Sequence, residues 1–232
     1  MKIGIISDLH ANLEALRALD ESFDELWVLG DLVNYGPDPV AVLDFARKHA
    51  TAVVRGNHDH SIGCDEDPQC SPRFRAMAAA TQRYSASMLG KRDCAYLRNL
   101  PLQDRREAVG ARFLLCHATP SNPLYEYCLP DSPRWEKEAA AADADIVLVG
   151  HTHLPFMRRF GNVIVANPGS LGQSKAGQPR ACYAVWRDGA LELKSIPYAV
   201  DETVRKLGAM GLAKEIRRDL AHVLLTGTVP PP

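Results

Sequence analysis

Histidine, aspartate and asparagine residues recur in short clusters along the chain, and side chains of these types bind metal ions or move protons. The clusters are Asp8-Leu9-His10, Gly30-Asp31, Gly56-Asn57-His58-Asp59, His117 and His151-Thr152-His153. Imidazole nitrogens with carboxylate and amide oxygens form a donor set that suits Mg²⁺ and the divalent ions of the first transition row. No cysteine lies in a cluster, so this set contains no thiolate.

Each cluster taken alone has an ordinary structural explanation. Asp31 and Asn57 are residue types that cap turns or helices after a strand, and a single histidine such as His117 often lies in a hydrogen-bonded interior position. Residues 151–153 fit this explanation less well, because two imidazoles so close together are awkward to bury unless they share a ligand or a charge. Five of the eight histidines fall in the clusters, which favours one common site, while the role of the neighbouring His60 stays open.

Seven potential ligands are too many for one ion, so the pattern predicts two ions. The ligands are Asp8, His10, Asp31, Asn57, His117, His151 and His153. Two divalent ions about 3.5–4 Å apart clamp a phosphate group and lower the pKa of a shared water molecule. With two carboxylates and one hydroxide, such a pair leaves a local charge of about +1, which attracts an anionic substrate.

The apolar pattern explains how distant clusters meet. Short β-branched runs at residues 2–7, 25–29 and 52–54 predict strands, and apolar residues at helical spacing predict helices at 12–19 and 39–49. Three such βα units predict a parallel sheet with right-handed crossovers. The first three clusters each follow a strand, at the carboxyl edge where α/β sheets form ligand crevices, and residues two apart in an extended segment point the same way.

The second half of the chain is richer in strands. A hairpin is predicted at residues 105–116, directly before His117, and a strand at 146–149 precedes the His-Thr-His cluster. An amphipathic helix is predicted at about 200–225, packing on the sheet, with a frayed tail over 226–232. The other predicted elements are helices at 73–89 and 135–142 and antiparallel strands at 156–160, 163–166, 182–187 and 191–196.

Composition excludes several classes of protein. The 232 residues include 27 Lys and Arg against 28 Asp and Glu, and a net charge of −1 provides no basic surface for a nucleic-acid polymer. Asp8 and His10 interrupt the first apolar run, so we expect no signal peptide, no membrane contact and a cytoplasmic protein. The six cysteines form no Cys-x-x-Cys pair and are interpreted as free thiols. A bridge or a metal site at Cys64 and Cys70, which flank an acidic loop, is the alternative.

In their order along the chain, the five clusters resemble the five-part signature of the calcineurin-like metallophosphoesterases. Residues 30–39, with the sequence GDLVNYGPDP, are also similar to the small bacterial and archaeal predicted phosphodiesterases of that superfamily. The resemblance spans roughly residues 1–193. It implies an α/β fold, an αββα sandwich of two stacked mixed sheets flanked by helices, which we expect to form a single domain over residues 1–232.

The resemblance also implies two divalent metal ions as cofactors, with manganese favoured among Mn, Fe, Ni, Co, Zn and Mg. Carried over by position, it assigns Asp8, His10, Asp31 and His153 to the first ion and Asp31, Asn57, His117 and His151 to the second. Asp31 would then bridge the two ions.

A further set of residues is implied to act on the substrate. His58 would contact the phosphate from outside the metal coordination sphere and protonate the leaving oxygen, with Asn57 beside it and with Asp59 orienting or tuning it. Arg55 either assists phosphate binding or forms a salt bridge at the end of its strand. The sequence leaves these two roles of Arg55 open.

The favoured function is hydrolysis of a small phosphodiester by attack of a metal-bridging hydroxide, with His58 as the general acid. A phosphomonoesterase or nucleotidase on the same site is the alternative. A metal-binding scaffold without catalysis is disfavoured because all seven ligands and His58 are present, and a DNA nuclease because the net charge is near zero.

Two polar loops are expected to select the substrate, at residues 61–72 and 119–132. Tyr125, Tyr127 and Cys128 either contact a base or an aryl group there, or simply pack the second loop. The expected partner is a small phosphoester, and assembly with further copies of the chain stays open.

Overall fold

Strands and helices alternate from the start of the chain, and the computed structural model describes residues 1–230. The strands are β1 (Lys2–Ile6), β2 (Glu25–Val28), β3 (Ala52–Val53), β4 (Gln103–Ala108), β5 (Ala111–Cys116), β6 (Ile146–Leu148), β7 (Phe156–Phe160), β8 (Val163–Asn167), β9 (Arg180–Arg187) and β10 (Ala190–Pro197). The helices are α1 (Leu13–Arg17), α2 (Pro39–His49), α3 (Asn57–Cys64), α4 (Pro72–Met88), α5 (Lys91–Asn99), α6 (Arg134–Ala141), α7 (Val200–Leu207) and α8 (Lys214–Thr226).

The strands form two five-stranded sheets, with the orders β10-β9-β1-β2-β3 and β4-β5-β6-β8-β7. Strands β1, β2 and β3 are parallel, as are β5, β6 and β8, and the remaining pairs are antiparallel. Both sheets are therefore mixed. The βα units of the first half build the parallel part of one sheet, as the sequence predicts.

One apolar layer joins the two sheets, because alternate residues of each strand face the other sheet. Ile5 of β1 and Leu148 of β6 lie in this layer and are fully buried. Phe113 of β5 lies between Trp27 and Trp186, and its ring centroid is 5.1 Å from each indole in an edge-to-face arrangement. These three aromatic side chains supply the largest buried groups between the sheets.

Helices cover the outer face of each sheet. Leu16 of α1 and Leu43 of α2 pack with Val28 on the first sheet. Trp135 of α6 packs with Val147 on the second sheet. The layers run helix, sheet, sheet, helix, which confirms the predicted αββα sandwich.

The C-terminal segment differs from the single helix expected at about 200–225. It forms two helices, α7 and α8, separated by residues 208–213. Leu220 and Leu224 of α8 pack with Met77 of α4 and Leu207 of α7, so this helix lies on other helices and not on a sheet. Of the predicted tail over 226–232, Thr226 ends α8, and Pro231 and Pro232 lie outside the described residues.

Two helices, α3 and α5, were not predicted, and α3 takes up the start of the loop expected at residues 61–72. Both are short and lack a long apolar repeat, which is the usual signal for a helix. Each begins after a glycine whose backbone N–H donates to an aspartate three residues later. Gly56 donates to Asp59 at 3.0 Å, and Gly90 donates to Asp93 at 2.8 Å. A glycine followed by an aspartate three residues later is a helix-capping pattern, and it is the feature of the sequence that could have predicted these two helices.

None of the helices within residues 1–230 combines the length and the apolarity that a membrane span requires.

We predict that Phe113→Ala lowers the free energy of unfolding by about 3–5 kcal/mol, because it leaves a cavity between the two indoles. Denaturant unfolding followed by tryptophan fluorescence measures this loss. Met157→Ala is the matched control, because Met157 is 47% exposed on β7 and should change the free energy of unfolding by less than about 0.5 kcal/mol. Equal losses in the two variants would contradict the assignment of Phe113 to the core.

Candidate active site

The seven predicted ligands come together at one end of the two sheets. They follow β1, β2, β3, β5 and β6 in the chain, and the parallel register places the ends of these strands at a common edge. Two groups form there, and within each group the potential ligand atoms lie within 4.8 Å of one another. The groups are Asp8, His10 and His153, and Asp31, His117 and His151.

Asp31 lies next to both groups. Its Oδ2 is 3.7 Å from His10 Nε2 and 3.3 Å from His117 Nε2. The remaining predicted ligand, Asn57, places its Oδ1 3.2 Å from His117 Nε2. This is the arrangement expected if one carboxylate serves two adjacent ions.

The imidazoles of His10 and His153 show that the site fits a cation. Their Nδ1 atoms bond to the carbonyl oxygens of Val33, at 3.1 Å, and Gln173, at 2.6 Å. A carbonyl only accepts, so each Nδ1 carries the proton and each Nε2 presents a lone pair. These two Nε2 atoms are only 3.1 Å apart, and Asp8 Oδ1 beside them is buried without a hydrogen-bond partner. A positive ion bound between them would remove the repulsion between the two Nε2 lone pairs and the Asp8 oxygen.

The charge of Asp31 outweighs burial at His117 and raises its pKa to about 9. Burial favours the neutral form of the other three predicted histidine ligands, which is the form that binds metals. It lowers the pKa of His10 to about 3 and holds the pKa values of His151 and His153 well below the ordinary range. Burial also raises the pKa of Asp8 to about 6. Burial alone would also raise the pKa of Asp31. The charges of His117 and His58 lower it by more, so the pKa of Asp31 is well below its usual value.

The backbone that carries these ligands is strained. Positive φ angles, in the left-handed region, occur at Asp8 (53°), His10 (44°), Asp31 (55°), His151 (66°) and His153 (61°). Each such residue costs roughly 1–2 kcal/mol, because its Cβ approaches a carbonyl oxygen. The sequence analysis expected extended segments here, so the side chains converge by a different local geometry. Backbone bonds across the site, such as His10 N to Asp31 O at 2.9 Å, hold it in place.

Asp59 and Gly56 fix the loop that bears Asp31. The Asp59 carboxylate accepts from the backbone N–H groups of Asp31 (2.8 Å), Leu32 (2.8 Å) and Gly56 (3.0 Å). A Cβ at Gly56 would lie 2.1 Å from Asp31 Oδ1, so only glycine allows this close approach. The structure thus places the Asp59 carboxylate on the backbone of this loop and not on the ring of His58.

His58 is oriented by Asn34 and Cys70, which the sequence analysis did not place beside this ring. The Asn34 amide nitrogen lies 2.8 Å from Nδ1, and because that nitrogen only donates, the proton of the neutral ring is on Nε2. Nε2 lies 3.5 Å from the Cys70 sulfur. Burial alone would lower the pKa of His58, but negative charge on Cys70 and Asp31 outweighs it and raises the pKa.

A cavity of about 350 Å³ opens beside these residues. It is lined by Asp31, Tyr35, Asn57, His58, Gln69, Cys70, Ser71, Phe74, Tyr125, Tyr127, His151, His153 and Lys175. Both predicted selectivity loops contribute to it. Tyr127 is held by a bond from its hydroxyl to the Thr152 carbonyl at 3.4 Å, whereas Cys128 packs in the core with Trp135.

Other predicted residues lie elsewhere. Arg55 is not among the side chains that line the cavity, and its guanidinium donates to the Arg98 carbonyl. His60 contacts Cys64 Sγ at 3.6 Å and Glu66 Oε2 at 3.3 Å, outside the cavity lining. Within residues 1–230, all six cysteines are free, Cys64 and Cys70 included.

The segment after β8 is a part of the site that the sequence analysis missed. Asn167, the last residue of β8, donates from its amide to the Gly150 carbonyl at 2.6 Å, and in the segment itself the hydroxyl of Ser170 donates to the Asp8 carbonyl at 2.7 Å. Its signal was the run Asn-Pro-Gly-Ser directly after a strand, the same kind of position that marked the other clusters.

The chain is similar to known proteins in both sequence and structure. The family model for the calcineurin-like phosphoesterase superfamily domain matches residues 1–187. A metallophosphoesterase from Sphaerobacter thermophilus has a similar structure, with a TM-score of 0.80 at 29% identity, covering 96% of this chain and 99% of that chain.

Two curated relatives are also informative. An uncharacterised protein from Methanocaldococcus jannaschii is 27% identical over 228 aligned positions, covering 88% of this chain and 91% of that protein. A symmetrical bis(5′-nucleosyl)-tetraphosphatase from Nitrosospira multiformis is 40% identical over 79 residues. That match covers only 28% of this chain and 29% of the tetraphosphatase.

We predict that Asp59→Asn weakens Mn²⁺ binding about 10–100-fold, because it removes an acceptor that positions Asp31. Calorimetric titration of the metal-free protein measures this change. Asp93→Asn is the matched control: Asp93 has the same capping role at α5, away from the cavity, and its variant should bind Mn²⁺ as the wild type does. Unchanged Mn²⁺ affinity in Asp59→Asn would refute the positioning role.

Proposed function

This chain belongs to the calcineurin-like phosphoesterase superfamily, and from that premise we propose that it is a dinuclear metal-dependent phosphodiesterase acting on a small phosphodiester. Family membership implies a divalent-metal-dependent hydrolase of phosphoesters. The observation that carries the finer proposal is the position of Asp31 between two groups of ligands. The facing Nε2 atoms of His10 and His153 support it, because they need a cation between them.

The residues present fit two ions. Asp8, His10, Asp31 and His153 would hold one ion, and Asp31, Asn57, His117 and His151 would hold the other. When bound, the ions supply a water of lowered pKa as the nucleophile and neutralise charge on the phosphate oxygens. The Nδ1 bonds of His10, His153 and His117 to carbonyl oxygens keep each ring in the tautomer that offers Nε2 as the ligand atom.

His58 is the general acid of the proposed reaction. Its acid form is the imidazolium, which carries a proton on each ring nitrogen, and the Nε2 proton is the one available because the Asn34 amide faces Nδ1. That proton passes to the oxygen of the departing alkoxide or phenoxide as the bond from phosphorus to this oxygen breaks. The raised pKa of His58 supports this role, because it keeps the ring protonated before the reaction.

A phosphomonoesterase or nucleotidase is the second candidate. The tetraphosphatase relative acts, by its name, on a bis(5′-nucleosyl) tetraphosphate, although it matches over only 28% of this chain. Phe74, Tyr125 and Tyr127 line the cavity and present aromatic surface to a base or an aryl group. A scaffold role is disfavoured by the complete ligand set.

The identity of the metal and the roles of Asp59 and Arg55 are part of the same proposal. We take manganese as the favoured metal, and Asp59 as a residue that positions Asp31. Arg55 has no role in it, because its guanidinium bonds to a carbonyl away from the cavity lining. The cytoplasmic location, the single domain and the state of assembly stay predictions.

We predict that the Mn²⁺-loaded protein hydrolyses bis-p-nitrophenyl phosphate faster than p-nitrophenyl phosphate. His58→Ala should lower kcat about 10²–10⁴-fold with Mn²⁺ binding retained, because it removes only the proton donor. Asp31→Ala should abolish both activity and binding of the ion pair. Wild-type rates no higher than those of Asp31→Ala with Mn²⁺, Ni²⁺ and Mg²⁺ would sink the enzyme proposal, and faster monoester turnover would favour the second candidate.

We also predict that removal of metal destabilises the fold. An ion that binds only the native state stabilises it by about 2.7 kcal/mol at a concentration 100-fold above its Kd. The Tm of chelator-treated protein should therefore rise when Mn²⁺ is added back, as followed by circular dichroism. Asp31→Ala, the control, should show little rise, and an equal rise in both proteins would place the metal elsewhere.

A further inference from the structure

Lys175 stands out in the cavity because the proposed reaction gives it no role. Its ammonium lies 4.6 Å from the centre of the Phe74 ring, and its side chain lines the same cavity as Asp31 and His58. Within residues 1–230, no carboxylate oxygen lies within 4 Å of its Nζ, whereas the ammonium of Lys206 pairs with Glu14. The ammonium is thus held by a ring face alone.

The position of Lys175 is set by a rigid segment and not by a free loop. In the segment after β8, the N–H groups of Leu171 and Gly172 donate to the carbonyls of Ser7 (2.9 Å) and Asp8 (3.0 Å). A Cβ at Gly172 would meet the Leu9 carbonyl oxygen at 1.8 Å. The Lys175 backbone is therefore only three residues from a point fixed to the loop that carries Asp8.

The charge around Lys175 changes when metal is bound. The negative charges that act on its ammonium are those of Asp8, Cys70 and Asp31. Burial nevertheless lowers the pKa of Lys175 to about 8. Two divalent ions would more than neutralise the two carboxylates, which leaves an ammonium in a partly closed, positive cavity. An anion in the cavity restores the balance.

We propose that Lys175 is a substrate-binding residue whose ammonium contacts a phosphate group of the substrate. The proposal rests on the proposed function and deepens it. The adjacent aromatic wall of Phe74, Tyr125 and Tyr127 then receives the organic part of the ester, so the substrate class is an aryl or nucleoside phosphoester. The phosphate that Lys175 contacts is either the scissile group or a further phosphate of the same substrate, and the kinetics below separate the two.

The test compares Lys175→Gln with Lys175→Arg and with Lys91→Gln, a control at an exposed lysine on α5. Calorimetric titration of the Mn²⁺-loaded proteins with inorganic phosphate gives a Kd that does not depend on turnover. A hydrogen bond to a charged group is worth about 1.5–3 kcal/mol, so Lys175→Gln should weaken phosphate binding roughly 10–100-fold. Lys175→Arg should stay within about threefold of the wild type, and Lys91→Gln should be unchanged.

Kinetics on two substrates locate the contact. KM for bis-p-nitrophenyl phosphate, which has one phosphate, rises in Lys175→Gln if the ammonium contacts the scissile group. A rise confined to diadenosine tetraphosphate places the contact on a further phosphate. In both cases kcat should change less than KM. The proposal fails if phosphate Kd and both KM values in Lys175→Gln stay within twofold of the wild type, or if Lys91→Gln has the same effect.

The inference and the proposed function fail in different ways. If the wild type hydrolyses no phosphoester but binds phosphate, and Lys175→Gln weakens that binding, the function is wrong and the inference stands. If the wild type is active and Lys175→Gln matches it, the inference alone is wrong. A wild type that binds no phosphate in any metal form overturns the inference. Equal Mn²⁺ affinity and equal Tm in the variants show that the fold and the metal site are intact.

Discussion

The site depends on where the Asp31 carboxylate is held. One of its oxygens accepts from the His58 backbone N–H at 2.9 Å, and the other lies 3.3 Å from His117 Nε2 and 3.7 Å from His10 Nε2. This single group connects the two sets of ligands and the helix that begins at Asn57. Asp59 and Gly56 serve this placement, one by accepting backbone N–H groups and the other by the absence of a side chain.

The two-sheet core provides the stability that this placement requires. Five ligand residues adopt left-handed backbone conformations, and several carboxylates and imidazoles are buried where water cannot solvate them. Such strain persists only when the surrounding structure determines it. Here the aromatic layer around Phe113 and the pairing of the parallel strands fix the positions of the strand ends. Backbone hydrogen bonds between the loops then hold the strained residues in place.

The charge at the site differs from the nearly zero net charge of the whole chain. A net charge of −1 over 232 residues attracts no anion over a long distance. At the site, however, the neutral imidazoles of His10, His151 and His153 offer lone pairs, Asp8 and Asp31 provide negative charge, and Lys175 supplies a cation. Under the proposed function, the local charge would change sign with metal occupancy, which would link the binding of an anionic substrate to the binding of the ions.

The sequence by itself determined the βα units and the hairpin, because strand patterns are local. The two-sheet fold followed from the family resemblance, and the ligand residues are a prediction from their position after strand ends. The resemblance to a family, carried by the same residues, was confirmed over residues 1–187. Only the tertiary structure decided which side chains contact His58, that Asp59 serves the Asp31 loop, that Lys175 enters the cavity, and that the C-terminal segment forms two helices. These depend on contacts between residues far apart in the chain, such as Asn34 with His58 and Ser170 with Asp8, which no local pattern records.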